Sequence, residues 1–427
     1  MPDVRIVRRL LIPNVVIIIT YILKFNTTIF NYLTLKKNLL KYPFEYFLVF
    51  FCLLIFVLET INARLWMNDF KVYYLAAQHL LGDGQVYGQA FGLSTGFFKY
   101  SPFAAMFFVP FSFLPFEISK IFLYFLSSGA MIGLFWGLKK LQFFQDSNLK
   151  PQAINWLLFV VVVINAPQLF RELHLGNVNM ILLFLAIRAL LMMPSKPVFS
   201  AVLLAICVLF KPHFLLLIPL LVLRKEAKTL LFLLGFIVFG LFLPSFLIGW
   251  SANIILLKDW LLSIQAHNNQ LISANDNLAF ILQNTFFPSQ DITVYKLWAL
   301  AVLLIFALLV LWIVVEHWQK EKSAAKNLVK NHFQIEFCLL LAMIPTLFIT
   351  DTEHFLLSIP IISYLVIKAL SYRMSKPVFS VGLGFTLILY LSSDFISQNS
   401  ILGIGNALLL LILIGHEMLI KTDTMVE

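Results

Sequence analysis

Charged residues are scarce in this sequence. Asp, Glu, Lys and Arg together make up 12% of its 427 residues, about half of the roughly 25% that soluble globular domains carry. Hydrophobic residues account for 61% of the chain, and phenylalanine alone contributes 44 residues. This composition excludes a soluble globular protein and predicts an integral membrane protein that crosses the bilayer many times. The apolar runs lack the alternation of a membrane β-barrel, so we expect an all-α polytopic fold.

Motifs for soluble cofactors are also missing. The chain has no Walker loop, no dinucleotide-binding fingerprint and no zinc motif. Its three cysteines lie inside apolar runs without metal-ligand spacing, which predicts packing roles. The net charge of +10 would suit nucleic acid in a soluble protein. In a membrane protein we assign it to loops on the cytoplasmic side, and we expect no nucleic-acid partner.

The apolar runs predict about 12 transmembrane helices with outer-face loops and juxtamembrane helices. Residues 1–42 are expected to form a cytoplasmic or interfacial segment, and residues 43–427 a single transmembrane domain with its first outer loop at 63–116. With both termini in the cytoplasm, most of the 31 lysines and arginines fall on the inside, as the positive-inside rule requires. The predicted spans are 43–62, 117–138, 154–170, 177–193, 197–210, 212–223, 229–248, 292–315, 333–350, 354–370, 377–393 and 400–418.

The unusual polar residues collect at the ends of apolar runs, and the predicted topology places them on the outer side. Charged groups at the membrane centre cost about 2.5–3.5 kcal/mol on insertion scales, so such groups usually have partners or ligands. A single residue of this kind is more commonly an interfacial anchor, whereas several stretches at one depth predict a site. The stretches are 69–74, 99–100, 171–179, 211–213, 266–277 and 351–354.

Asp69 is the candidate catalytic base. It lies shortly after the first predicted span, where a carboxylate can accept the proton of an attacking hydroxyl. The structural alternatives are an ion pair with Lys71 or Arg64 and an N-cap of the helix that follows. A cap would also hold the carboxylate in place, so the two roles are compatible.

Lys211 is the candidate phosphate ligand, because a cation between two short predicted spans is unusual. A lysine there can bind the phosphate of a lipid carrier, and Arg171, Lys99 and His213 can share that role. The alternative for Lys211 is snorkelling to the interface.

His354 opens a predicted span directly after Glu353. Its imidazole can donate to a leaving phosphate or position a sugar, which makes it a second catalytic candidate, or it can simply pair with Glu353. Amides both donate and accept hydrogen bonds, which suits sugar hydroxyls, although each alone is more commonly a loop or cap residue. The candidates for sugar or acceptor binding are Tyr73, Tyr100, Asn177, Asn179, Asn269, Gln270, Asn277 and Glu353.

The order of these stretches resembles glycosyltransferase family 87. Members of that family are multi-pass enzymes of the GT-C class that use a polyprenyl-phosphate sugar, and many are mannosyltransferases. The resemblance extends from about residue 45 to about residue 370. It is carried by "NDFKVYYLAA", "LLGDGQVY", "FKYSPFAAMFFVPFSFLP", "LHLGNVNMILLFL", "FKPHFLLLIPLLVLRK", "NNQLISANDN" and "DTEHFLL".

The resemblance implies roles for individual positions. The family's acid in the first outer loop falls on Asp69, and "FKP" matches at Lys211. "GNVN" stands where glycine-glutamine-x-asparagine is common, so Asn177 replaces a glutamine and keeps the amide chemistry. "DTEHF" resembles a tryptophan-x-histidine-histidine pattern, with Glu353 and His354 in the two histidine positions.

Three further positions depart from the family pattern. Ser101 interrupts a tyrosine-proline-proline run, Leu271 stands where serine is usual, and Asn277 occupies the neighbourhood of an arginine. These changes affect the identity of the sugar and leave the class of enzyme in place.

The function implied by the resemblance is inverting transfer of a sugar, with mannose as the first candidate, from a polyprenyl-phosphate donor to a hydroxyl of a glycan or glycolipid. A bacterial inner membrane is expected, with the active site on the periplasmic face. No cofactor is expected, and a divalent metal is allowed but not favoured, because only Asp69 stands out in its loop. The alternatives are a transporter or flippase of lipid-linked sugars and a non-enzymatic assembly subunit. A transporter predicts internal repeats and polar residues at mid-membrane, which this sequence does not show.

Overall fold

The computed structural model describes residues 42–91, 96–270, 277–286, 292–321, 326–348, 351–371, 377–392 and 401–423. The predicted N-terminal segment, 1–42, lies outside these ranges except for its last residue. The described residues form α-helices and short 3-10 helices, with one isolated antiparallel bridge between Ala90 and Phe97. The predicted all-α polytopic fold is confirmed for the part of the chain that is described.

The chain divides into two compact units, Met1–Phe51 and Cys52–Glu427. Among the described helices, the first includes residues of both units, and the others consist of residues of the second unit. The helices of the first half are α1 Pro43–Ile61, α2 Asn68–Leu81, α3 Pro102–Phe107, α4 Val109–Ser112, α5 Phe116–Leu138, α6 Gln142–Gln145, α7 Pro151–Ile164, α8 Ala166–Leu175, α9 Asn179–Met192 and α10 Pro197–Phe210.

The described part of the second half includes two 3-10 helices, η1 and η2, each directly followed by an α-helix. Both lie where an apolar segment begins with a proline or a polar cluster, at "KPHF" and "DTEHF". The elements are η1 Pro212–Leu217, α11 Ile218–Leu223, α12 Ala227–Phe242, α13 Ser245–Ile248, α14 Trp250–Gln270, α15 Leu278–Phe286, α16 Ile292–Glu321, α17 Lys326–Leu347, η2 Thr352–Ser358, α18 Ile359–Leu370, α19 Pro377–Ser392 and α20 Ile401–Asp423.

The predicted number of 12 spans is not confirmed. Among the described residues, 6 helical segments are long and apolar enough to cross a membrane, or 7 if the pair α7–α8, bent by 64°, is one span. Several predicted spans correspond to shorter apolar helices, including α9 and α10 with 14 residues each. At 1.5 Å per residue such a helix covers about 21 Å, less than the roughly 30 Å of a bilayer core.

Short helices contribute to the buried interior. Helix α10 packs against α9 and α12, and α9 also packs against α5. In the apolar segment Thr352–Leu370, 83% of the residues are buried, against 17% in Ala227–Ile248. The first segment is therefore internal, whereas the second presents most of its side chains to the surroundings. Element η2 contacts α8, α9 and α17, which brings the chain after α17 back against the α8–α9 junction.

A buried ionic cluster joins the ends of several helices, and no motif in the sequence predicted it. Arg224, directly after α11, donates from Nη1 to Glu321 Oε2 at 2.7 Å and from Nε to Glu336 Oε2 at 2.7 Å. His317 links Glu336 Oε1 at 2.7 Å to Glu417 Oε2 at 3.3 Å. The side chains of Arg224 and Glu336 are 6% and 0% exposed. The cluster therefore connects α11, α16, α17 and α20 through charges that have little access to solvent.

Removing the arginine is expected to destabilise the protein. Arg224→Ala leaves the carboxylates of Glu321 and Glu336 buried without their cation, and loss of one partner of a buried pair costs about 3–5 kcal/mol. The matched control is Lys228→Ala, since Lys228 is exposed four residues away. Denaturant titration in detergent should show a large loss of unfolding free energy for the first variant alone. Equal stability of the two variants would contradict the buried cluster.

Candidate active site

Four separate stretches of the chain bring polar side chains together where helices begin or end. Asp69 is the second residue of α2, and Asn177 and Asn179 flank the junction between α8 and α9. Lys211 separates α10 from η1, and His354 lies in η2. These positions are distant in sequence but adjacent in space, because η2 packs against the α8–α9 junction and α2 packs against α3 and α8.

The carboxylate of Asp69 is held by an amide from the α8–α9 junction. Asn177 Nδ2 donates to Asp69 Oδ2 at 2.8 Å. The hydroxyl of Tyr73 lies 3.3 Å from Asn177 Oδ1 and 3.1 Å from the hydroxyl of Tyr100. Burial raises the pKa of both tyrosines well above its ordinary value, so they remain neutral hydrogen-bonding groups. Met67 is the N-cap residue of α2 and makes no side-chain cap, so Asp69 lies within the first turn and does not cap the helix.

A glycine allows α2 to approach the α8–α9 junction closely. Gly176 has φ of +69° and ends α8 in the left-handed region that glycine adopts readily. A Cβ atom at this position would lie 3.0 Å from Phe70 Cβ and 3.2 Å from Met67 Cβ. The Met67 backbone N–H donates to the carbonyl of His174 at 3.1 Å, which ties the same two segments together. The contact between Asp69 and Asn177 therefore depends on this tight backbone packing.

Lys211 is buried, with 4% of its surface exposed, which excludes snorkelling. Its Nζ donates to Asn179 Oδ1 at 2.6 Å and lies 2.7 Å from His354 Nε2. An ammonium group only donates, so Nε2 is the acceptor of this contact. The other ring nitrogen, Nδ1, lies 3.1 Å from the backbone nitrogen and 3.2 Å from the carbonyl oxygen of Asp351. The ammonium also lies 5.5 Å from the ring centroid of Tyr100.

A second group of charges surrounds these residues. Arg171 Nε donates to Glu353 Oε1 at 2.6 Å, and the Glu353 side chain is 1% exposed. Lys99 Nζ lies 3.4 Å from Asp351 Oδ2. The cluster therefore brings three cations close to three carboxylates. The cations are Lys99, Arg171 and Lys211, and the carboxylates are Asp69, Asp351 and Glu353.

This neighbourhood shifts the titration of the Asp69 carboxyl group. Burial raises the pKa of Asp69 to about 6, and the Glu353 and Asp351 carboxylates add to the rise. Lys99 and Lys211 oppose it. A carboxylate with this pKa is ionised at neutral pH and is a stronger base than an exposed aspartate.

The titration of Lys211 shifts in the opposite direction. Burial, followed by the charge of Lys99, lowers the pKa of Lys211 to about 8, against the opposing effect of Glu172, Asp351 and Asp69. The ammonium form is therefore still the main form at neutral pH. Its proton affinity depends on the carboxylates around it.

An apolar cavity of about 390 Å³ lies beside this cluster, between α3, α5, α9 and α10. Its lining includes Val178, between the two site asparagines, and Phe210, which precedes Lys211. Phe108, also in the lining, stacks on Tyr73 with ring centroids 4.9 Å apart. The lining also includes Phe125, which is 46% exposed. The cavity therefore shares lining residues with the immediate neighbourhood of the polar cluster and includes a partly exposed aromatic ring.

Comparison with protein families gives a match to glycosyltransferase family 87 over residues 97–348, more than half of the chain. The chain belongs to glycosyltransferase family 87. The resemblance noted in the sequence is thereby confirmed, and so is the general class of activity. No curated protein matches the chain.

The family 87 match includes part of the site and omits the rest. Lys99, Asn177 and Lys211 lie within residues 97–348, whereas Asp69 and His354 lie outside them. The structure joins the two groups through the hydrogen bonds from Asn177 to Asp69 and between Lys211 and His354. Residues on both sides of the matched region thus complete one cluster.

The remaining candidates have different positions. The His213 ring centroid lies 6.3 Å from that of His354 and 4.8 Å from that of Phe348, so His213 is at the edge of the cluster. Asn277 does not join it among the contacts described, because its amide donates to Tyr295 at 2.8 Å and its oxygen accepts from the N–H of Phe280 at 2.9 Å. The predicted site residues Asn269 and Gln270 end α14, but their side chains lie outside the described part of the structure.

One buried acid of this family 87 site escaped the sequence analysis. Glu172 is 1% exposed and contacts Asn179, which in turn contacts Lys211. The sequence signal was present, because Glu172 lies within the polar stretch 171–179, but an adjacent arginine makes it resemble a surface ion pair. Within the described residues, no group of three or more His, Cys, Asp or Glu side chains is arranged to hold a metal.

Proposed function

We propose that this glycosyltransferase moves a sugar from a polyprenyl-phosphate donor to a hydroxyl of a glycan or glycolipid acceptor, with inversion at the anomeric carbon. Mannose is the first candidate for the sugar. The observation that carries the proposal is a carboxylate and a buried ammonium held by two asparagines of one junction, Asn177 on Asp69 and Asn179 on Lys211. The first group suits a base and the second a phosphate ligand.

The donor phosphate is assigned to Lys211. Two of its three N–H groups point to Asn179 and His354, which leaves one for a phosphate oxygen. Lys99 and Arg171, which pair with Asp351 and Glu353, are the further cations assigned to the phosphate, and a divalent metal is allowed but not favoured. His354 was expected to contact the leaving phosphate or the sugar, and its contact with Lys211 favours a role in orienting the lysine.

The lipid tail of the donor is assigned to the apolar cavity. The cavity is lined by Phe210, directly before Lys211, and by Phe125, whose ring is 46% exposed. A carrier held with its phosphate at Lys211 could therefore place its first isoprenoid units among aromatic and aliphatic side chains. Burial of apolar surface contributes about 25 cal/mol per Å² and is independent of the sugar.

The transfer step uses one carboxylate. Asp69 accepts the proton of the acceptor hydroxyl, the oxygen forms a bond to the anomeric carbon, and the bond from that carbon to the phosphate oxygen breaks. The electron pair leaves with the polyprenyl phosphate, whose charge the nearby cations stabilise. Retaining enzymes need a second carboxylate about 5–5.5 Å from the first to form a covalent intermediate. A direct displacement does not need one, and family membership favours this enzyme over a transporter.

The outer face of a membrane, the periplasmic face in a bacterial inner membrane, is the proposed location of the site. The distribution of lysine and arginine along the sequence supports this orientation. All the site segments then lie on the outer side of the membrane. A lipid-linked donor is available on that side, whereas nucleotide sugars are absent from it.

Replacement of the base tests the mechanism. Asp69→Asn should reduce kcat/KM by about 10²–10⁴-fold, the usual contribution of a general base, while donor binding is retained. The matched control is Asp83→Asn, since Asp83 lies in the same predicted loop and is 52% exposed. Purified protein should be assayed with a panel of polyprenyl-phosphate sugars. Undiminished turnover in Asp69→Asn would remove this residue from the mechanism.

The pH dependence of transfer provides an independent test. Asp69 acts as a base only when ionised, so kcat/KM should fall about tenfold per pH unit below a pKa of about 6. Lys211 binds phosphate only when protonated, so activity should also fall above a pKa of about 8. A bell-shaped profile is expected, and the acidic limb should disappear from the residual activity of Asp69→Asn. An unchanged acidic limb in that variant would assign the titration to another group.

Labelling of introduced cysteines tests the orientation. The three native cysteines are buried, so a new exposed cysteine should react selectively. In intact cells a membrane-impermeant maleimide should label Asp83→Cys, in the predicted outer loop, but not Lys150→Cys, in a predicted cytoplasmic loop. Both wild-type residues are exposed. The reverse pattern would place the site in the cytoplasm.

A further inference from the structure

Glu172 is buried behind the proposed phosphate ligand and is not among the residues that would touch a substrate. Its Oε1 accepts the backbone N–H of Met180 at 2.7 Å, and its Oε2 accepts Asn179 Nδ2 at 3.0 Å. Both oxygens of the carboxylate are thus occupied by N–H donors. The side chain of Glu172 is on α8, whereas both donors are in the first turn of α9.

This arrangement determines which end of the Asn179 amide faces Lys211. Both oxygens of the Glu172 side chain accept hydrogen bonds here, and the Nδ2 group of Asn179 points to one of them. The Oδ1 atom then points to Lys211 Nζ, at 2.6 Å. The opposite orientation would place the amide N–H groups against an ammonium that has no lone pair. The hydrogen bonds therefore form a directed series from the ammonium through the amide to the carboxylate.

We propose that Glu172 is a positioning residue for donor binding, because it orients Asn179 so that the asparagine oxygen holds Lys211 beneath the donor phosphate. This inference rests on the proposed role of Lys211 in binding a polyprenyl-phosphate donor. Burial raises the pKa of Glu172, whereas the hydrogen bonds from Met180 and Asn179 and the charge of Lys211 lower it, so the titrations of Glu172 and Lys211 are linked. The effect of Glu172 on catalysis is indirect, since it contacts neither the sugar nor the acceptor.

A purely structural role is the competing explanation. The hydrogen bond from the Met180 N–H places the carboxylate at the N-terminus of α9, where a negative charge stabilises a helix by about 0.3–1 kcal/mol. In that case the orientation of Asn179 would be incidental. Substitutions that change the direction of the hydrogen bonds without changing side-chain size distinguish the two roles.

The experiment compares Glu172→Gln, Asn179→Asp and the double variant. In Glu172→Gln the oxygen can still accept the Met180 N–H, but the new NH₂ group faces the Asn179 amide and turns its oxygen away from Lys211. In Asn179→Asp two carboxylates face each other. The double variant restores the original pattern, because the introduced glutamine donates to one oxygen of the introduced aspartate and Lys211 donates to the other. The matched control is Glu117→Gln, at an acid that is 66% exposed on α5.

The expected result is a loss of donor binding that the second substitution reverses. Glu172→Gln should raise the donor KM by about 10- to 100-fold, the range for loss of a hydrogen bond to a charged group, with a much smaller change in kcat. The alkaline limb of the pH profile of Glu172→Gln should move to lower pH. The reason is that the Lys211 ammonium loses a nearby carboxyl group and gains a facing N–H donor. Asn179→Asp should also be impaired. The double variant should return to within about threefold of wild type, since the original donor and acceptor pattern is restored.

Two results would overturn the proposal. One is a Glu172→Gln variant with wild-type donor KM and alkaline limb, as expected if the carboxyl group is protonated or serves only as a helix cap. The other is a double variant no better than the worse single variant, with all proteins showing equal melting temperatures in detergent. If one single variant does not fold, the comparison of the double variant with the other remains decisive. Failure of the proposed function itself is distinguishable, because wild-type protein would then transfer no sugar from any polyprenyl-phosphate donor.

Discussion

The buried ammonium of Lys211 is the constraint on which the site depends. A charge with 4% exposure must be compensated by nearby acceptors, because an uncompensated ion in a low-dielectric interior is strongly unfavourable. The structure supplies Asn179 and His354 as direct acceptors and the Glu172 carboxylate behind them. Each acceptor comes from a different element, so satisfying this one charge requires α8, α9, η2 and the end of α10 to meet.

The same constraint explains why the site lies at helix ends. Short helices such as α9 and α10 end inside the protein, and their junctions carry polar side chains that a continuous apolar span could not accommodate. Gly176 allows the α8–α9 junction to approach α2, so that Asn177 reaches Asp69. Base and phosphate ligand are therefore placed by two asparagines separated by a single residue, Val178. An arrangement of this kind keeps the two groups in a defined relation without any direct contact between them.

Buried charged side chains form two clusters, one that includes the first half of α17 and one beyond its C-terminal end. Glu336, in its first half, belongs to the Arg224 cluster, and the chain that follows its last turn leads to His354 in the active site. The first cluster is fully paired within the described residues and joins four helices. In the second, the contacts of Lys211 leave an N–H group for a ligand. This difference separates a structural cluster from a candidate site, since both contain buried cations and carboxylates.

Several features were determined by the sequence alone. The scarcity of charge and the length of the apolar runs dictate an all-α membrane protein, because the bilayer core tolerates backbone only when its hydrogen bonds are satisfied internally. The ordered motifs identified family 87 and drew attention to Asp69, Asn177, Lys211 and His354, since polar residues next to apolar runs are conspicuous in any such chain. Only the tertiary structure decided how these residues pair, that Glu172 stands behind Asn179, that Arg224 is buried, and that the Asn277 amide caps α15. The span count differed for the same reason: helix length and the packing of short helices against their neighbours depend on contacts between segments far apart in the chain.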